Sequence, residues 1–278
     1  MLNLCTANRL FKLKLRDMVV RTCFLLLLLQ LTIAVDGQEI FNPPIKKNNA
    51  FKAGEVLTFQ LKYGFISAGI GTLILSEDLY NNKSVFHSST IVQTTGLAET
   101  LYGVKDIYES WFDKETNLPY KQISNIKEGH YTRTNDVTYD QKGRMVTSKS
   151  SGTHPVPQKI LDLSSTMYYI RRIDFSKISE GDSLLLNMFF SDEVFPLRFI
   201  YKGKETIQTN FGKVKCHKIC PLVEVGRMFK RADDLTVWFT DDDNCIPVQV
   251  KMAIRIAGVV NLKLIKYENL ANPVTFKK

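Results

Sequence analysis

Trp111-Phe112-Asp113-Lys114-Glu115-Thr116-Asn117-Leu118-Pro119 and Trp238-Phe239-Thr240-Asp241-Asp242-Asp243-Asn244-Cys245-Ile246-Pro247 contain both tryptophans of the 278-residue chain, and they read alike: Trp-Phe, a polar turn, Asn, then Pro. A second shared phrase lies 57 residues before each tryptophan, Gly54-Glu55-Val56-Leu57 in one case and Gly181-Asp182-Ser183-Leu184 in the other. Recurrence at a fixed spacing indicates a structural unit used twice, here of about a hundred residues. Because successive side chains in a strand alternate faces, only one ring of each Trp-Phe pair can point inward.

Working outward from these phrases, strand signals dominate. Leu57, Phe59, Leu61, Tyr63 and Phe65 alternate with polar or small residues, the period of a half-buried strand. Gly69 and Gly71 interrupt the stretch from Ala68 to Glu77 and imply a bulge or tight bend. Asn81-Asn82-Lys83 turns the chain into a strand over Ser84 to Gln93. The Trp111 strand leads through its polar turn into Pro119 to Lys127, then past Gly129 into Tyr131 to Tyr139. In the second half the Trp238 strand is followed by Pro247 to Ile256, a break at Gly258, and Val259 to Tyr267. Links this short permit antiparallel meanders and forbid parallel ones. Leu184 to Val225 again reads as strands, separated by Gly203 and Gly212.

Between the halves, Leu161 to Ile173 is the best helical stretch, with Ser164 and Ser165 as caps and with Pro155 and Pro157 barring an earlier start. About a dozen strands and one helix exceed one small sandwich, and closing the sheet removes exposed edges. The expected fold is therefore mainly β: an antiparallel barrel or curved half-barrel built from two similar halves, with one helix between them. The expected organisation is a leader over 1–37, an extended lead-in over 38–50, one β-rich domain over 51–270 with pseudo-repeats 51–150 and 178–270 joined by a helical linker near 161–173, and a tail over 271–278.

The leader is read from Arg9, Lys12, Lys14, Arg16 and Arg21 ahead of the apolar run Cys23 to Val35, closed by small residues at Val35 and Gly37, the three parts of a secretory signal peptide. Cleavage is expected after Gly37, and either Met1 or Met18 serves as the start. The run of about 13 residues is shorter than the roughly 20 that cross a bilayer, so no transmembrane anchor is expected after cleavage. Removing the leader's five basic and two acidic residues from the totals of 37 and 28 leaves 32 and 26, a net of +6 on scattered side chains. That balance argues against a nucleic-acid partner.

Phe51-Lys52-Ala53-Gly54-Glu55 with Leu57, Phe59, Tyr63, Gly69 and Gly71-Thr72 resembles the opening of the exported bacterial proteins grouped as domain of unknown function 3108. Asp162-Leu163-Ser164-Ser165 with Tyr168-Tyr169-Ile170-Arg171, and Val237-Trp238-Phe239-Thr240-Asp241 with Ile246-Pro247-Val248, are similar to that family's pattern, so the resemblance spans roughly Phe51 to Leu270. It implies an envelope protein of Gram-negative bacteria, in the periplasm or at the outer-membrane periphery, with an antiparallel barrel-like fold, no assigned activity and no catalytic residues to carry over.

Other clusters have bland readings beside their sharp ones. Cys216-His217-Lys218-Ile219-Cys220 with Cys245 invites a metal, but in a strand Cys216 and Cys220 face one way and His217 the other. A single disulfide, Cys220 to Cys245, or a set of buried thiols fits better. Asp241-Asp242-Asp243-Asn244 is better explained as a solvated hairpin turn than as a calcium site. His130 and Asp136 form a conceivable base-and-orienter pair without a nucleophile, and His87, His154 and His217 stand in no catalytic motif. No catalytic residue, metal or cofactor is expected. Tyr63, Trp111 and Trp238 are the candidates for lining an apolar site, although aromatic side chains more often fill a small barrel. The leading expectation is a non-enzymatic envelope protein holding a lipid-like small molecule or part of an envelope protein. A structural or assembly factor acting through surface contacts is the alternative, and a hydrolase the third.

Overall fold

The computed structural model describes residues 40–41, 43–223, 231, 233–255, 258–274 and 276–277; the leader and its cleavage site lie outside them, as does Ile256. All strands of the described residues belong to one sheet of fifteen. A two-residue strand β1 (Ile40–Phe41) is followed by a meander of β2 (Val56–Tyr63), β3 (Ile66–Tyr80), β4 (Lys83–Thr94), β5 (Lys105–Phe112), β6 (Pro119–Glu128), β7 (Tyr131–Asp140), β8 (Met145–Ser148) and β9 (Gly152–Pro155). A second meander comprises β10 (Ser183–Phe190), β11 (Glu193–Thr209), β12 (Gly212–Pro221), β13 (Leu235–Thr240), β14 (Pro247–Ile254) and β15 (Gly258–Glu268). The last strand returns to the first half and pairs antiparallel with β2, while β1 pairs parallel with the outer edge of β10.

The two halves match strand for strand, β2 to β7 against β10 to β15. Gly54, at φ 90°, donates its N–H to Leu75 O, and Leu75 N–H returns to Glu55 O; Gly181, at φ 97°, and Asp182 make the same exchange with Tyr201. Both positions need a left-handed backbone that glycine adopts at little cost. Each Trp-Phe phrase carries a register shift against its proline strand, Trp111/Phe112 with Phe112 opposite Pro119, and Trp238/Phe239 with Phe239 opposite Pro247. A bulge there suits proline, which cannot donate to the ladder. The polar turns close alike, Asp113 N–H to Leu118 O at 3.0 Å and Thr240 N–H to Ile246 O at 2.9 Å.

The sheet is a curved half-barrel whose ends meet through side chains and not through a full ladder. Leu161 makes a parallel bridge to Met188 on β10. At the β10–β11 turn, Ser191 and Asp192 adopt φ of 50° and 67°, unfavourable for non-glycine residues. The Asp192 carboxylate offsets that cost by accepting bonds from Arg133 and Asn135 on β7, from Ser148 on β8 and from Ser150. This clamp ties the two far edges together.

Among the described residues two α-helices interrupt the strands: α1 (Leu97–Leu101), in the β4–β5 link, and α2 (Leu163–Ile170), between the halves. Asp162, not Ser164 or Ser165, caps α2. Its carboxylate accepts the Ser165 N–H at 2.6 Å while the Ser165 hydroxyl accepts the Asp162 N–H at 2.9 Å, a reciprocal capping box. The helix starts two residues later than the sequence indicated because Leu161 is held in its bridge to β10. It packs into the concave side, where Tyr168 meets Phe51 and Phe112 at ring-centroid distances of 4.9 and 5.4 Å. On the other side Tyr169 and Ile170 join Leu184, Phe199, Ile219 and Phe239. Burying one such aromatic ring contributes roughly 2 to 3 kcal/mol, so the helix is the keystone of the interior.

Several sequence readings need correction. β2 ends at Tyr63, and Phe65 is 97% exposed at the hairpin tip. By contrast, the bulge signalled by the β3 glycines is present: β3 runs on past them with Ala68 as the extra residue between the pairs Leu61–Gly69 and Lys62–Ser67, and Gly69 is required because a Cβ there would come within 2.6 Å of Gln93 O. The short polar strands β8 and β9 went unread.

Candidate functional site

The residues singled out for an apolar site do not converge. Tyr63 packs at the end of β2 with Leu235, Ile254 and Val260. Phe112 and Phe239 are the inward rings of the twin phrases, 0% and 1% exposed, which leaves the tryptophans on the other face. There they share one arrangement. The Trp111 indole N–H donates to Asp78 at 2.8 Å, the ring stacks on His87 at 4.3 Å, and Lys121 lies over it. The Trp238 N–H donates to Glu205 at 3.0 Å and Lys218 lies over its ring. Trp111 is half-buried, whereas Trp238 is buried in a cluster onto which Leu270, Val274 and Phe276 of the tail pack.

The densest polar assembly lies where α2 ends between the two polar turns. Arg171 and Glu55, each side chain 1% exposed, form a two-pronged ion pair at 2.5 and 2.8 Å. The remaining Arg171 donors reach Ala50 O and, in the second half, Asn244 O at 3.1 Å. Burial disfavours the guanidinium, but Glu55 more than offsets it and the pKa of Arg171 rises. Arg172 donates to Asn117 of the first-half turn and to Lys46 O. One helix end thus pins both twin turns and the lead-in, a role that only long-range pairing reveals.

Beside it opens a polar cleft of about 220 Å³, floored by Arg172 and Phe175 and walled by Lys204, His217 and Asp241. His217 stacks on Phe175 at 4.2 Å. Its Nδ1 accepts from the Tyr201 hydroxyl at 2.9 Å, and its Nε2 donates to Asp241 at 3.0 Å. Burial lowers the pKa of His217 to about 4, so the imidazole is neutral at pH 7. Burial works against the charge of Asp241 too, yet Lys204 and His217 hold its carboxyl below the usual range. With both ring nitrogens occupied, His217 has no lone pair to offer a substrate, and the chain Tyr201–His217–Asp241 acts as a strut.

Other catalytic readings meet similar obstacles. Asp136 is taken by Lys121 at 3.0 Å and does not orient His130. Ser151 and His154 are in contact at 2.8 Å, but the carboxylate nearby, Asp192, bonds the serine and not the imidazole, the reverse of what activates a serine. Asp242 is spent on its own turn, accepting from Thr240 Oγ1, Asn244 N–H and Cys245 N–H, as Asp does in tight turns.

Cys220 and Cys245, the pair expected to form a disulfide, are free buried thiols, as is Cys216. Cys216 lies opposite Thr240, close to the turn that holds Cys245, whereas Cys220 lies beside Thr236, roughly 13 Å further along the strand. Burial pushes the Cys216 and Cys245 thiols up to about 12, so neither supplies a thiolate at neutral pH.

No helix among the described residues is long and apolar enough to cross a membrane. No curated protein matches the sequence. Among solved structures the chain is similar to a beta-barrel-like protein of domain of unknown function DUF1849 from Brucella abortus, at 10% identity over 77% of this chain and 96% of that one, with a TM-score of 0.49. It is similar to a DUF1089 family protein from Pseudomonas aeruginosa at 10% identity over 71% and 90%, TM-score 0.29. A protein with a YmcC-like fold from Bacteroides fragilis aligns at 7% identity over 79% and 100%, TM-score 0.31. The family described as Protein of unknown function (DUF3108) matches residues 58–265, from β2 to β15. On that match, which covers most of its length, the chain belongs to the DUF3108 family.

Proposed function

We propose that this chain is an exported cell-envelope protein of a Gram-negative bacterium, in the periplasm or at the outer-membrane periphery, that works through its surface as a structural or assembly factor. The basic, apolar and small-residue segments ahead of Gln38 support export. The observation that carries the rest is the seating of α2 in the concave side, with Tyr168 buried among Phe51, Phe86 and Phe112. A lipid carrier needs that volume, since sites for molecules of such size run to several hundred Å³ and are mostly apolar. Two cavities among the described residues measure about 40 and 220 Å³, and the larger of these two is lined largely by charged and polar groups. The carrier reading therefore fits this interior less well than a filled scaffold does.

The test is to purify the processed protein from its native host, extract it for mass spectrometry of small molecules, and crosslink it in intact cells. The reading expects no stoichiometric lipid and a fixed set of envelope crosslinks. A reproducible lipid at one per chain would replace the scaffold with the carrier.

A further inference from the structure

Antiparallel meanders place alternate links at opposite rims of the curved sheet. One rim holds the β14–β15 link, the β2–β3 hairpin, the β4–β5 link with α1, and the β6–β7 hairpin. These four links are neighbours in space: Gly64 N–H bonds Val259 O, Thr95 N–H bonds Ala68 O, and Gly129 N–H bonds Gly103 O. Of the large apolar side chains exposed among the described residues, five stand on these links: Val259 at 39%, Phe65 at 97%, Ile66 at 49%, Leu97 at 65% and Tyr131 at 43%. Leu79 and Ile45 are the exceptions elsewhere. From β15 to β7 the row crosses six strand spacings, roughly 29 Å.

The charges along this row are one-sided. Lys62, Lys105, Lys127 and Arg255 sit at the strand ends that carry the four links, and Glu99 is the exposed acid among their described residues, Glu128 being buried. The opposite rim carries the acidic turn Asp241–Asn244. Phe65, Ile66, Leu97 and Val259 line neither of the two cavities, and Tyr131 stands at the wall of the smaller one. A protein partner buries apolar groups in complementary relief, whereas a bilayer accepts separate tips to a common depth, with lysines left at the headgroups and tyrosine at the boundary.

We propose that this rim is a membrane-docking edge: Phe65 and Ile66, flanked by Leu97, Val259 and Tyr131, insert into the headgroup region of an anionic bilayer while the basic residues engage its lipid phosphates. The inference rests on the surface-acting role proposed for the chain and names one surface through which it works. The test uses the processed protein from its host with vesicles of phosphatidylglycerol and phosphatidylethanolamine, against vesicles of phosphatidylcholine. The native protein sediments with the anionic vesicles, and less as salt rises from about 0.05 to 0.5 M. Joint Phe65→Ser and Ile66→Ser substitution weakens binding at least about tenfold, with the fold retained, since Phe65 buries almost nothing and Ile66 about half of its surface. Leu79→Ser on the other rim leaves binding unchanged. A native protein indifferent to anionic vesicles, or a double variant that binds as well as native, overturns the membrane edge. If vesicles are ignored while a crosslinker at position 65 captures one envelope protein, the edge belongs to a protein contact, and the scaffold reading survives where this inference fails.

Discussion

The two tryptophan sites are one design with two different covers. Each indole donates to a carboxylate on a strand of the same half, and each ring lies flat against the residue directly opposite on the neighbouring strand, His87 or Lys218. In the second half, residues after β15 fold back, pair Lys277 with Lys213, and pack Val274 and Phe276 over the cluster containing Trp238. The first half is succeeded by β8, β9 and α2, which go to the sheet edge and the concave side, so Trp111 keeps an open flank. Duplication supplied two equivalent outer faces, and the segment that comes after each half in the chain decides which face is sealed. At the polar turns, too, adjacent arginines at one helix end divide the work, Arg172 reaching the first-half turn at Asn117 and Arg171 the second-half turn at Asn244 while it also pairs with Glu55.

The arginines should give the largest split between the halves. Arg171→Ala leaves the buried Glu55 carboxylate uncompensated and strips Asn244 of its donor, which should cost about 3 to 5 kcal/mol. Arg172→Ala removes bonds to Asn117 and Lys46 without stranding a buried charge, and should cost about 1 to 2 kcal/mol. Urea unfolding of both variants checks this, and equal losses would mean that the helix end does not divide its work between the two turns. A joint replacement of Glu55 and Arg171 by apolar residues of similar volume should recover much of the loss, since stranding the charge is the chief penalty.

A smaller split is expected from the rings themselves. Trp238→Ala opens a cavity beneath the tail and should cost about 3 kcal/mol, against about 1 kcal/mol for Trp111→Ala, whose ring is already half in water. Iodide should quench Trp111 emission well and Trp238 poorly, and deleting the residues after Leu270 should make the second resemble the first. Unchanged quenching of Trp238 in that truncated chain would remove the tail as the cause of the difference.

Local features were displayed by the sequence and long-range ones were hidden. Alternation, proline and the Asn81-Asn82 hairpin turn, with φ of 51° and 62°, are local, and they located β2 to β7 and β13 to β15 to within a few residues. Parity alone required that one ring of each Trp-Phe pair face inward, but not which one; that Phe112 and Phe239 are the inward rings comes from the register with neighbouring strands. The β15–β2 pairing, the Asp192 clamp and the Arg171–Glu55 pair join residues far apart in the chain and leave no local mark. β8 and β9 are four residues each, too short and polar for a period to show. His217 and Asp241 were both noticed, but their meeting depends on His217 lying opposite Phe239, a register no single strand reveals. Of the two readings left open for the cysteines, a Cys220–Cys245 disulfide or buried thiols, the structure has the thiols, and the strand register that separates Cys220 from Cys245 is likewise invisible in any one segment.

The smallest expected effect is on pH, and it too divides the halves. Phe86 stands opposite Phe112 in the first half, and His217 stands opposite Phe239 at the matching place in the second. Burial lowers the pKa of His217 to about 4, so between about 6.5 and 4 the unfolded chain takes up a proton that the folded one refuses. Its stabilising share is complete above about pH 6.5 and is lost as the pH falls towards 4. Asp162 runs the other way. Burial raises its carboxyl to about 6 against the hydrogen bonds from Ser110 and Ser165, so the folded state binds the extra proton, and stability is gained as the pH falls from about 6 towards 3.8. From pH 6.5 to 6 the histidine acts alone, and below that the two oppose, which leaves a net change of about 1 kcal/mol or less down to pH 4.5. His217→Phe gives the second half the residue of the first and leaves Asp162 unopposed, so its unfolding free energy should rise relative to native as the pH drops from 6.5 to 4.5. Parallel pH curves for the two proteins would show that His217 titrates as freely when folded as when unfolded, and that the Tyr201–His217–Asp241 strut does not hold it neutral.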